Sequence, residues 1–337
     1  MFGEPPYRLG MSRFLLLGAG FTRNWGGPLA SEMFNLLIGL KPINQMPVLR
    51  EALVRHRDRG GFEAAIGEIQ AEYERSRSPQ SLAHLRGFQD AIAEVFSDLD
   101  TALSNATFEF QAPPENSGVF VKFLTAFDAI FSLNQDLMLE RHYLHHPLNV
   151  TLASGNRWNG WEFPGMRVQP PNGPGLPDPA KDRWSPKAPA EFRVSPNLQP
   201  VFKLHGSTTW FDEAGQIMVM GYNKLTTIQS QHILRYYNAE LERCLSLPSA
   251  RLVVIGYGFQ DTHITTGIRR MISASGRMFI IDPLGVDVTD ENRNLTVRLP
   301  NDFLNIIDGA STRPLREIFG GPSADYANLM RFLGLHR

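Results

Sequence analysis

Five short stretches of this chain carry residues whose types and spacing can do chemistry. Each closes an apolar run. Gly18-Ala19-Gly20 follows Phe14–Leu17, and Asn134 and Asp136 end the run at 129–136. His205, Gly206 and Ser207 end the run at 201–207. Gly256, Tyr257 and Gly258 follow 251–255, and Asp282 ends 277–282. Two kinds of chemistry are represented. The glycines let a phosphate approach backbone N–H groups, where a helix N-terminus adds a favourable dipole. Asn, Asp and His supply hydrogen bonds and proton transfer. An imidazole with an ordinary pKa, about 6.5, would be available as a base at neutral pH. Asp282, just before a proline, is suited to accept both hydroxyls of a ribose. Each feature also has a plainer reading. A lone G-x-G is common in turns, a histidine after a strand often only makes a structural hydrogen bond, and Asp136 can cap the next helix. Several such ends on separate strands point to a site together, as none does singly.

The apolar runs alternate with helical patterns. This predicts an α/β fold, a Rossmann-like parallel sheet with helices on both faces. In such sheets ligands bind at the carboxyl ends of the strands, where all five stretches fall. Ser78 as cap, Pro79 at the first position and a broad apolar stripe from Leu82 to Leu103 predict a long helix. Further helices are expected at about 229–246, 263–275 and 323–334. Residues 41–116 read as a helical insertion, and 164–200, with ten prolines, as a long loop. Four of the five tryptophans (Trp158, Trp161, Trp184 and Trp210) lie in or beside that loop, so it is expected to pack. Residues 1–11 are expected to be a flexible leader, and 12–337 a single catalytic domain.

Bulk composition narrows the class. The net charge is −1, which gives no reason to expect direct nucleic-acid or membrane-surface binding. The single cysteine, Cys244, excludes an intramolecular disulfide and a cysteine-rich zinc module, and its helical spacing among Leu241 and Leu245 reads as a core thiol. With no membrane-length apolar stretch and no signal pattern, a cytoplasmic location is expected.

Together the stretches resemble the sirtuin (silent information regulator) family. Its G-A-G-[IV]-S turn followed by G-I-P is similar to Gly18-Ala19-Gly20-Phe21-Thr22 and Gly26-Gly27-Pro28. Its T-Q-N-x-D motif corresponds to 132–136, and its L-H-G-S motif to Leu204-His205-Gly206-Ser207. The stretch 255–264, Ile-Gly-Tyr-Gly-Phe-Gln-Asp-Thr-His-Ile, is similar instead to sirtuin-like domains of bacterial anti-phage defence proteins. Sirtuin deacylases carry four zinc cysteines and continue after the G-I-P with Asp-Phe-Arg; here Leu29-Ala30-Ser31 follows.

The resemblance implies an NAD+ hydrolase that releases nicotinamide and ADP-ribose. It implies a homo-oligomer paired with a HerA-type ATPase subunit, and no zinc. Within it, Gly18, Ala19, Gly20 and Phe21 would form the pyrophosphate turn, with a hydroxyl contact from Thr22. Gly256, Tyr257 and Asp282 would hold the adenosine half. Asn134 would position the nicotinamide ribose or the attacking water. His205 would accept a proton, and Asp136 would grip the amide or orient the site. Asp261 and His263 are further candidates that can also be structural. A protein deacylase or ADP-ribosyltransferase, and a nucleotide-binding scaffold of an ATPase complex, stay open as alternatives. A dehydrogenase fits least: Arg23 stands where the dinucleotide fingerprint needs its third glycine.

Overall fold

The structure is a computed structural model. It describes residues 12–58, 60–111, 118–145, 151–152, 155–156, 158–169, 177–213, 215–221, 224–290 and 301–335. The leader at 1–11 and much of the boundary at 111–117 lie outside the described residues.

Continuous apolar runs become strands buried on both faces. Phe14–Leu17, Ala129–Phe131, Leu252–Ile255 and Met278–Ile281 are all excluded from water, as a parallel sheet covered by helices requires. The strands are β1 (Arg13–Leu17), β2 (Ala129–Ser132), β3 (Trp161–Glu162), β4 (Gln199–Lys203), β5 (Arg251–Ile255), β6 (Arg277–Ile281) and β7 (Ile307–Ser311). They form one sheet in the order β7-β6-β5-β1-β2-β4-β3, with every neighbouring pair parallel. The register is level. Leu17 lies beside both Ile255 and Ser132, Ser132 beside Lys203, and Ile255 beside Ile281. The residues after five strands therefore emerge along one edge. β1 sits mid-sheet: the chain builds outward to β2, β4 and β3 on one side and to β5, β6 and β7 on the other. The crevice between β1 and β5 is the topological switch point, where such sheets bind ligands.

The Pro79–Ser104 helix starts as its sequence predicts, with Ser78 Oγ accepting from Ser81 N–H and proline at the first position. With the Pro47–His56 and Gly61–Ser76 helices it encloses a second apolar core of Leu49, Leu53, Ile66, Phe88 and Ile92, separate from the core around the sheet. Met33 and Leu37, upstream of residue 41, also belong to that second core.

Two elements differ from the sequence reading. The run at 201–207 is not one strand. β4 ends at Lys203 and a second strand, Gly206–Asp212, begins after a corner at Gly206, φ +77°. A Cβ at Gly206 would stand 2.0 Å from the Ile217 carbonyl oxygen, so glycine is required there. The expected helix at 229–246 is split at Gln231 into Lys224–Ser230 and His232–Leu245. The described parts of the proline-rich segment supply strands Met166–Val168 and Trp184–Pro186 to a second, four-stranded sheet containing Gly206–Asp212. The rings of Phe163, Trp184 and Trp210 pack at 5.1–5.2 Å, anchoring that segment. Cys244 is fully buried in the main core. Among the described residues, no helix is long and apolar enough to cross a membrane.

Candidate functional site

The glycine turn after β1 meets the turn after β5 backbone to backbone. A Cβ on Gly18 would lie 2.5 Å from the Gly256 carbonyl oxygen, and one on Gly20 2.6 Å from Gly256 Cα. Gly256 itself has φ +61°. Three glycines thus bring two strand ends into contact at the switch point. This contact changes the expected phosphate cradle. The Gly18 N–H donates to Ile255, the Gly20 N–H to Gly256 and the Phe21 N–H to Gly18. Of the four turn amides, only that of Ala19 makes no backbone hydrogen bond among the described residues. The Phe21 ring faces the core against Trp25 and Phe120, and neither Phe21 nor Thr22 lines the cavity. Their expected contacts with a ligand are corrected: both support the site from behind.

Thr22 connects the other two expected residues. Its hydroxyl donates to Asp136 Oδ2 at 2.8 Å and accepts from Asn134 Nδ2 at 2.9 Å. With Asp136 ionised, the direction of this chain is fixed, and Asn134 keeps its amide oxygen for a ligand. The Asn134 backbone N–H donates to Ser132 Oγ, and Met138 N–H donates to Asp136 Oδ1 at 3.0 Å. Burial pushes the Asp136 carboxyl above its ordinary value, offset in part by Lys203 and by the bonds from Met138 and Thr22. Asp136 therefore both caps the next turn and orients Asn134.

Below this lies a buried ion pair that the sequence did not announce. Lys203, at the end of β4, pairs with Glu140 and donates to the Asp136 carbonyl at 2.7 Å. Glu140 starts a wide helical turn, Glu140–Leu144, and is fully buried. Burial raises its carboxyl, against the pull of Lys203.

His205 occupies the corner between β4 and the Gly206 strand and is 5% exposed. Gln135 braces that corner, donating to the Val219 carbonyl at 2.6 Å. The His205 Nε2 lies 3.1 Å from His263 Nε2. Burial pushes the His205 imidazole down to about 3, so the expectation of an ordinary, neutral-range base is corrected. His205 is uncharged at pH 7 and a weak base. Burial lowers His263 as well.

Asp261 stands at the N-cap of the Thr262–Ser273 helix yet makes no capping bond. Its carboxylate is turned instead to Lys224, 2.9 Å away, and Lys224 also pairs with Glu63 at 2.9 Å. Burial works to raise Asp261, but His205 and Lys224 outweigh it and hold it below its usual range. The Tyr257 hydroxyl clamps Asp261, accepting from its N–H at 3.1 Å and donating to its carbonyl at 3.2 Å. Tyr257 thus holds Asp261, and its hydroxyl is already engaged.

Above these groups is a cavity of 1180 Å³. Gly18, Ala19, Gly20, Asn134, Asp136, His205, Gly256, Tyr257 and Asp282 all line it, as do Leu29, Ala30 and Ser31. Asp282 Oδ1 accepts from Leu284 N–H. Glu63 and Lys224 also line it and escaped the sequence reading, as did Arg313. Glu63 comes from the helical insertion, which therefore walls one side.

A parallel sheet with glycine turns and a cavity of this size at its switch point defines a Rossmann-like α/β protein with a ligand site. A family model described as a SIR2-like domain matches residues 128–299, just over half of the sequence, and the chain belongs to that family. Among solved structures, a mutant Sir2 homologue in complex with ADP-ribose is 12% identical, and the match covers 97% of this chain and 94% of that one at TM-score 0.42. A Sir2 homologue in complex with NAD is 14% identical, covering 96% of this chain and 91% of that one at TM-score 0.41. No curated protein matches. The fold described above rests on strand pairing, not on these distant likenesses.

Proposed function

We propose that the chain is an NAD+ glycohydrolase, converting NAD+ and water to nicotinamide, ADP-ribose and a proton. The observation that carries this reading is the arrival of Asn134 and His205, from two different strand ends, in one cavity at the glycine-lined switch point. The C1′–N bond breaks with its electron pair passing to the pyridinium ring, so the leaving group departs neutral. The sugar becomes cation-like and water adds to it. Asn134, held by Thr22, presents an acceptor oxygen to a ribose hydroxyl or to that water. Such a cation needs little help to capture water. A weak base suffices, because the water becomes acidic only as its bond to carbon forms. His205, uncharged at pH 7, takes that proton. Ala19 N–H and the glycine turns accommodate the pyrophosphate, and Asp282 accepts from the adenosine ribose.

A role in anti-phage defence is the biological setting that the sequence resemblance favours. The test uses purified chain, alone and with a HerA-type ATPase, incubated with NAD+. Nicotinamide and ADP-ribose are followed by chromatography, with and without an acyl-lysine peptide. Asn134→Ala and His205→Ala should each lower turnover by about 100-fold or more. Full activity in both, or release of nicotinamide only when the peptide is present, would overturn the assignment.

A further inference from the structure

We propose that His205, His263 and Asp261 form a binding site for a divalent first-row transition ion, zinc foremost. The ligand set contains no cysteine: Asp261 and His263 are two residues apart, and His205 is remote from both in sequence. The fold joins one histidine from the corner after β4 with the Asp-Thr-His start of the Thr262–Ser273 helix. One ligand atom from each of the three residues lies within 4.8 Å of the other two.

The geometry suits one shared ion. Zinc–nitrogen bonds are about 2.0–2.1 Å. Two imidazole nitrogens on one zinc therefore lie about 2.9 Å apart at a right angle and about 3.4 Å apart at the tetrahedral angle. The observed Nε2–Nε2 separation of 3.1 Å falls between these. Each imidazole presents its Nε2 to the same point, where one ion could take both lone pairs. Without an ion, the two nitrogens can share only one proton. The carboxylate has an oxygen to give, since Lys224 bonds to Oδ1 and shares its charge with Glu63.

The outer groups are already fixed. Tyr257 holds the Asp261 backbone from both sides, the sort of support that orients metal ligands. Three protein ligands leave a fourth position, and His205 and Asp261 line the cavity into which it would open. Two imidazoles with one carboxylate favour zinc, cobalt, nickel or copper over magnesium or calcium.

One consequence rests on the function proposed above. An ion bound through His205 Nε2 takes the lone pair that would receive the proton, so the occupied site is switched off. Zinc is then an inhibitor of cleavage, and a chelator an activator.

The test is a cobalt titration of chelator-treated full-length protein, read by the visible absorption of four-coordinate cobalt, which needs no turnover. One cobalt per chain is expected, displaced by zinc. His263→Gln and Asp261→Asn should each weaken binding at least ~10-fold, with folding checked by circular dichroism. His56→Ala, on the helical insertion beside Glu68, should leave binding unchanged. The absence of the cobalt band, or unaltered affinity in both His263→Gln and Asp261→Asn, overturns the site. Zinc that binds there without slowing NAD+ cleavage overturns the switch. A chain that never cleaves NAD+ overturns the function proposed above and leaves the titration to decide the ion site.

Discussion

At the scale of single residues, Asp136 shows how burial and function pull against each other. Its carboxylate orients Asn134 through Thr22, yet burial raises its pKa in the fold. Between its unfolded and folded values the folded chain holds more protons than the unfolded one. Stability therefore falls as pH rises through that window. An asparagine there carries no charge to desolvate; its one amide oxygen can keep the bond from Met138, while its NH2 group faces the Thr22 hydroxyl. The expected result is that Asp136→Asn gains stability relative to wild type as pH goes from about 4 to about 7, with a slope of at most about 1.4 kcal/mol per pH unit. Urea melts of the two proteins across that range measure the difference, and the other buried groups, common to both, cancel. A difference that shrinks with rising pH would contradict the direction of the shift.

At the scale of elements, the clamp is the ion pair between the end of β4 and the wide turn after β2. Lys203→Met would leave Glu140 buried without its partner, at a cost of about 3–5 kcal/mol. Adding Glu140→Met should recover most of that loss, because a well-packed apolar pair replaces a desolvated ionic one. Denaturant titration of the single and double variants decides it. A single variant as stable as wild type would mean that the pair holds nothing. This pair also marks where sequence reading stops. The five apolar runs, and the polar residues that follow them, were visible because a doubly covered strand must be apolar throughout. β7 was not, since Ile307-Asp308-Gly309-Ala310-Ser311 is an edge strand with no such run. β3, two residues long, leaves no pattern at all. The types and positions of Asn134 and His205 could be read from the chain. The depressed pKa of His205 could not, because burial belongs to the assembled fold. The Lys224 bridge to Glu63 and Asp261 was equally hidden: Glu63 and Lys224 look like ordinary surface charges, and nothing along the chain joins them to the candidate Asp261.

At the scale of the whole molecule, the feature with the widest reach is the pair of separate apolar cores, one around the sheet and one inside the helical insertion. The cavity lies between them. Phe62 and Glu63 from the insertion face Gly18, His205 and Asp261 from the sheet side. Two cores need not melt together. Differential scanning calorimetry of the free chain should show a broadened or two-step transition. A dinucleotide that touches both walls stabilises both by mass action, about 2.7 kcal/mol at a hundredfold excess over its Kd. It should therefore draw the two steps into one sharper peak. A single sharp peak in the free chain, unmoved by NAD+, would show that the cores already act as one and that the cavity does not hold the dinucleotide. Heat capacity thus becomes a ligand detector for this protein, one that works on variants too crippled to turn anything over.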